Sequence, residues 1–272
     1  MHHDSLAVAG PAGAIRTFHW PGNAAPSAPP FLFIHGMLGD ASFWEPTVDA
    51  LGEQRPRAIA IELRGHGASE TPANDDYTPA ACAGDVRAVL DSYALDRAIV
   101  VGHSYGALVA LAFAAAHPER VARLILVDPP GDFTHLPEAE RRGQLEPFLA
   151  ALGGDEWREA TRAGFEDACT GGRESTREMI FSRLDAASRA STVGLFRPMF
   201  EFPAVAALDR FLAHEGASAH AILATSNAWP FSLHVLRPSL AHTVIPGTGH
   251  WLMLDDPAGF ASALRAATLA IG

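Results

Sequence analysis

The chain has 272 residues, 48% of them hydrophobic and 19% charged. That balance suits a packed globular protein with one large core or two small ones and excludes a disordered chain. A formal net charge of -11 excludes broad electrostatic attraction to nucleic acid or an anionic membrane.

In chain order, Ala24–Pro30 reads as a loop and Phe31–Ile34 as a buried strand. Ala58–Ile61 is expected to form another strand, and Pro79 to Tyr93 a helix. A strand at Ala98–Val101 follows, then a helix over Tyr105–Ala116 and a strand from Arg123 to Val127. His117-Pro118 ends the middle helix, because proline disfavours helical geometry at the residue before it. Strands separated by helices of this length need crossover connections, hence a mainly parallel sheet covered on both faces.

The alternation breaks after Pro129-Pro130. From about Gly131 to Phe211 the pattern is charged and helical, with scattered aromatic residues. Strands are expected again from Ala219 to Thr225 and over Ala241–Ile245, and a helix from Pro257 to Ala270 closes the chain. The expected organisation is an α/β core from residues 1–130 and 214–272, interrupted by a helical insertion over 131–213.

No run of about 18 uninterrupted apolar residues marks a membrane span. Met1-His2-His3-Asp4 lacks the basic-then-apolar pattern of a secretory signal, so a cytoplasmic protein is expected. Cys82 and Cys169 cannot make a disulfide framework and read as small buried thiols. Metal-ligand spacings are absent, and neither a metal nor another cofactor is expected.

The strongest chemical signal is Gly102-His103-Ser104-Tyr105-Gly106, lying between a strand run and a helix run. A sharp strand-to-helix turn brings backbone segments close, so the positions two before and two after the serine must be small. Such a turn exposes the Ser104 hydroxyl at a helix N-terminus, where the dipole favours developing negative charge. The competing reading is a helix N-cap serine flanked by chance glycines.

A serine hydroxyl needs a neighbouring base to become a nucleophile. His250 follows the last strand run and precedes the final helix, which puts it at the same sheet edge as Ser104. The chain has 13 histidines, so His250 is selected by its place, with His103 expected to point elsewhere and His35 and His66 in loops. The backbone N–H of Met37, after the strand ending in His35-Gly36, and that of Tyr105 are candidate oxyanion donors. His35-Gly36 read alone is merely a tight turn.

With these segments in place, the chain resembles the α/β-hydrolase superfamily, in the branch of small esterases, lactonases and carbon–carbon bond hydrolases. His35-Gly36 with Trp44 is similar to that branch's oxyanion segment. Glu62-Leu63-Arg64-Gly65-His66-Gly67-Ala68-Ser69 resembles its Asp-x-Arg-Gly-x-Gly-x-Ser segment, with Glu in place of Asp and a structural rather than catalytic role expected. Gly102–Gly106 matches its nucleophile turn and Gly249-His250 its base segment. The resemblance implies a mainly parallel eight-stranded sheet flanked by helices, with residues 131–213 as a variable lid.

It also exposes a departure. The usual acid of the family follows the strand after the lid, and Ala221 to Pro230 contains no carboxylate. Some relatives carry the acid at the end of the strand after the helix that follows the nucleophile turn, where this chain has Asp128. Asp128 is therefore the candidate triad acid, against the alternative of an aspartate capping a turn before Pro129. Asn227 is held in reserve as an uncharged orienter, and Asp255 and Asp256 are expected to cap the last helix.

The resemblance implies acyl transfer from a small, largely apolar ester to water, with a lactone or thioester close behind. A carbon–carbon bond hydrolase, an acyltransferase and a non-catalytic binding protein on the same scaffold remain alternatives, and the sequence does not set the oligomeric state.

Overall fold

The computed structural model describes residues 3–25 and 27–269. Met1, His2, Pro26 and the expected helix end at Ala270 lie outside the described residues. The strands are β1 (Asp4–Gly10), β2 (Gly13–Trp20), β3 (Phe31–Ile34), β4 (Ala58–Ile61), β5 (Ala98–His103), β6 (Val121–Val127), β7 (Ala219–Ala224) and β8 (Ala241–Ile245). They form one eight-stranded sheet in the order β1-β2-β4-β3-β5-β6-β7-β8. Strand β2 is antiparallel to both β1 and β4, and the remaining pairs are parallel, so β2 alone runs against the rest.

Every residue of β3, β4 and β5 is buried, because helices cover both faces. These strands therefore read as unbroken apolar runs rather than alternating ones. The hairpin β1–β2 was not anticipated strand by strand: Val8 is the single buried residue of β1, so no apolar run announces it. Its register comes instead from cross-strand pairing, with Gly10 opposite Gly13 around the turn.

Helices α1 (Glu45–Leu51), α2 (Pro79–Ser92) and α3 (Tyr105–Ala116) belong to the crossovers. Between β6 and β7 lie α4 (Glu138–Glu140), α5 (Glu146–Gly153), α6 (Trp157–Glu166), α7 (Glu174–Ala186), α8 (Arg189–Glu201) and α9 (Ala204–Leu212). Short helices α10 (Leu233–Leu236) and α11 (Leu252–Asp255) precede the closing α12 (Pro257–Leu269). Helix α9 packs on α3, and its Leu208 and Phe211 are fully buried. The buried Asp132 carboxylate accepts the Val205 N–H at the start of α9, 2.8 Å away. From α7, Arg183 reaches the Asp40 carboxylate after β3 at 2.5 Å and stacks over Phe43.

The chain leaves β3 toward β4 on one side and β5 toward β6 on the other. In open α/β sheets this reversal opens a crevice beyond the carboxyl ends of the two strands. Residues 35–37 and 104 occupy those ends. Cys82 and Cys169 are both free thiols, the first buried and the second half-buried. Among the described residues, no helix is long and apolar enough to cross a membrane.

Candidate active site

Ser104 sits at the sharp turn between β5 and α3 with φ 51° and ψ -121°, a strained backbone for an L residue. A Cβ on Gly102 would overlap the Gly106 carbonyl, and one on Gly106 would overlap the carbonyls of Ile34 and His35. Only glycine fits at either place. The Ser104 N–H donates to the Val127 carbonyl at 2.9 Å, which sets the turn beside the end of β6.

The residue that follows β6 is Asp128, buried and itself at φ 43°. Its N–H donates to Ile222 at 2.8 Å. Its Oδ1 accepts the Ala224 N–H at 2.8 Å and the Asn227 amide at 3.1 Å. Its Oδ2 accepts Nδ1–H of His250 at 2.6 Å. The carboxylate thus bridges three segments that are remote in sequence, and the structure brings Asp128 and His250 together.

Asn227 touches Asp128 rather than His250. Its amide nitrogen also donates to the Pro129 carbonyl at 3.0 Å, and its oxygen accepts the Ser232 hydroxyl at 2.8 Å. Asn227, in the segment after β7, thus helps to fix the orientation of the Asp128 carboxylate.

The backbone of His250 is held as firmly as its ring. Its N–H donates to Ala168 in the insertion at 2.9 Å, and its carbonyl accepts Nε2–H of His103 at 2.9 Å. His103, expected to point away, packs its ring 4.7 Å from that of His250. Burial, followed by the neighbouring His250, drives the His103 imidazole well below its ordinary pKa and keeps it neutral. Among the described residues, neither Ser104 Oγ nor His250 Nε2 makes a hydrogen bond. Contacts of this kind commonly tighten only when substrate binds.

The Met37 and Tyr105 N–H groups also donate to no described residue. Both are backbone donors at the carboxyl ends of β3 and β5, where the strand order reverses. The peptide carrying the Met37 N–H has the Gly36 carbonyl at its other end. That oxygen accepts Nδ1–H of His35 at 2.7 Å and the Gly39 N–H at 3.2 Å. His35 Nε2 accepts the Leu63 N–H at 3.0 Å, which requires the proton on Nδ1. Burial, then the neighbouring His66, pushes His35 down to about 3, so it is a neutral strut under this turn.

The segment from Glu62 to Ser69 is structural. Arg64 makes a two-pronged pair with Asp85 at 2.8 and 2.9 Å, both side chains being buried. Glu62 accepts the Ala68 N–H at 2.6 Å, and burial raises its pKa despite that bond. The expected caps of the last helix divide: Asp256 accepts the Gly259 N–H at 3.0 Å, whereas Asp255 turns away to Gly249 and Arg173.

The sequence profile of the alpha/beta hydrolase fold family matches residues 29–169, just over half of the chain. The chain belongs to that family. It is 38% identical over 117 residues to an esterase of Mycobacterium tuberculosis, covering 43% of this chain and 37% of that protein. It is 34% identical over 169 residues to the dihydrolipoyllysine-residue acetyltransferase component of the acetoin cleaving system of Cupriavidus necator, covering 61% of this chain and 44% of the relative. The match thus spans less than half the length of either curated relative. Among solved structures, the enol-lactonase of Burkholderia xenovorans superposes with a TM-score of 0.78 at 19% identity, over 97% of this chain and 100% of the other. That likeness is one of fold, and it covers the sheet and the helical insertion of this family member together.

Proposed function

We propose that this member of the family is a serine hydrolase that cleaves a carboxylic ester, lactone or thioester through an acyl-enzyme. The observation that carries the reading is the 2.6 Å contact of His250 Nδ1 with Asp128 Oδ2, beside a strained Ser104 turn. Ser104 Oγ attacks the carbonyl carbon while His250 Nε2 takes its proton. The Met37 and Tyr105 N–H groups hold the oxyanion, and such donors are worth about 3 kcal/mol each in the transition state. His250 passes the proton to the leaving group as the bond to it breaks. A water molecule then gives its proton to His250 and attacks the acyl carbon, and Ser104 regains its proton as the acid leaves. Asp128 fixes the histidine tautomer and stabilises the imidazolium formed in each half-reaction. The likeness to a mycobacterial esterase supports the choice of an ester.

In this reading the insertion between β6 and β7 is the lid over the crevice. Its Phe165 packs edge-on to Trp251 at 5.8 Å, and Trp251 lies 5.1 Å from His250. Phe148 and Phe200, half-buried, continue the aromatic surface through Phe196. These rings suit a largely apolar acyl group.

Fluorophosphonate labelling tests the assignment. The wild type is expected to label at Ser104, with labelling abolished in Ser104→Ala and severely slowed in His250→Ala. A wild-type protein that remains unlabelled overturns the reading. Aryl-ester turnover with added alcohols then separates transfer to water from transfer to another acceptor.

A further inference from the structure

The sequence gives Asp255 no role beyond a helix cap, yet its carboxylate is buried and lies between the base loop and the insertion. Oδ2 accepts the Gly249 N–H at 2.8 Å, immediately before His250. Oδ1 accepts the Arg173 N–H at 3.0 Å, at the start of α7. A second strap runs parallel to the first, since the His250 N–H donates to Ala168 at 2.9 Å. The fit is close: a Cβ on Gly172 would stand 2.5 Å from Asp255 Oδ2. Three of the bonds that fix the histidine loop therefore end on, or pass through Asp255 to, residues 168–173.

We propose that Asp255 is a positioning residue that makes the placement of His250 depend on the insertion segment Ala168–Arg173. The base is in register with Ser104 only while that segment is seated, so the insertion governs the proton-transfer step as well as access to the crevice. The inference rests on His250 being the base. It commits this segment to being a fixed root of the insertion, so any opening that preserves activity hinges elsewhere.

Arg173 offers a clean way to cut the link. It has φ -79° and ψ 143°, values proline adopts, and its side chain is not part of the strap. Arg173→Pro removes the N–H, whereas Arg173→Ala keeps it and serves as the reference. A misplacement of about 1 Å at a reacting group costs up to about 100-fold, so Arg173→Pro is expected to lower kcat about 10-fold or more below Arg173→Ala while KM holds. Asp255→Asn, whose amide opposes one of the two N–H donors, is expected to lose at least as much. Amide hydrogen exchange at Gly249 and His250 is expected to quicken in both.

If Asp255→Asn does not fold, Arg173→Pro carries the test alone. Unchanged kcat per folded molecule in Arg173→Pro, with only thermal stability lowered, overturns the inference and leaves Asp255 as scaffolding. A wild type that fails to label at Ser104 overturns both this inference and the functional reading, whereas a labelled wild type with an indifferent Arg173→Pro overturns this inference alone.

Discussion

The two ends of the candidate triad are built in different ways. The Ser104 turn is compact: two glycines four residues apart and a strained φ of 51° lie in one strand–turn–helix unit, which closes against the ends of β3 and β6. The acid–base end is distributed. Asp128 follows β6, Ala224 and Asn227 follow β7, His250 follows β8, and Ala168 and Arg173 enter from the insertion. Backbone sterics determine the first region, and a hydrogen-bond network between remote segments determines the second. The turn therefore tolerates almost no substitution, while the network depends steeply on its hub, Asp128, and only by degrees on the partners around it.

The sharpest way to break the distributed end is Asp128→Asn. Loss of the charge that orients the histidine is expected to lower kcat by about 10⁴ with the fold retained. Stopped-flow or steady-state turnover of an aryl ester, beside a circular dichroism spectrum, checks both halves; full activity would return Asp128 to the role of a turn residue.

The local end is expected to break through folding instead. Gly102→Ala drives a methyl group into the Gly106 carbonyl, and steric clashes of this kind cost about 4 kcal/mol or more. Chemical denaturation should find the variant largely unfolded or at a sharply lower midpoint. A variant of wild-type stability would contradict the tight turn.

Acid is expected to weaken the Ser104 side of the site through its neutral imidazoles. His35 is held at about 3 in the fold against an ordinary 6.5. The unfolded chain therefore binds more protons between those values, so this contribution is intact above pH 6.5 and is lost as pH falls. By pH 5, His35 alone removes about 2 kcal/mol, with His66 and His103 shifted in the same direction. Tm measured from pH 7.5 to pH 5 should fall steeply, and less steeply in His35→Gln; parallel curves would exclude His35 as a source of the acid sensitivity.

The smallest effect sharpens the role of Asn227. Removing one of the three donors on Asp128 by Asn227→Ala is expected to lower kcat about 10-fold, by analogy with the loss of groups that orient a reacting partner. Asn227→Asp should be worse, because two carboxylates would face each other at about 3 Å. If Asn227→Asp instead restored activity to an inactive Asp128→Asn, position 227 would be able to carry the acid, and equal activity of all three variants would remove the carboxylate from the mechanism.

Much of the fold was legible in the sequence because the central strands are buried on both faces. Phe31–Ile34 and Ala58–Ile61, buried throughout, occur where expected, as do the helix Tyr105–Ala116 and the largely exposed edge strand Ala241–Ile245. The hairpin β1–β2 is not legible in the sequence because the exposed side chains of β1 carry no apolar periodicity. At the site, the Gly102–Gly106 spacing announced the turn, and position in the chain selected His250. The sequence marks Asp128 only as a carboxylate at a strand end, also compatible with a turn residue, and the 2.6 Å contact with His250 exists only in the folded chain.

What the sequence determined alone was the turn, because Gly102 faces the Gly106 carbonyl within five consecutive residues, whereas the strand end that closes on Gly106 was supplied by the tertiary structure. What the tertiary structure decided was the partnership around it. That Asn227 holds Asp128, that His103 holds the His250 carbonyl, and that Asp255 straps Gly249 to Arg173 depends on strand order and loop packing. Hydrogen bonds between residues up to 147 positions apart leave no periodic trace along the chain, because each requires only one polar atom at the right place in space.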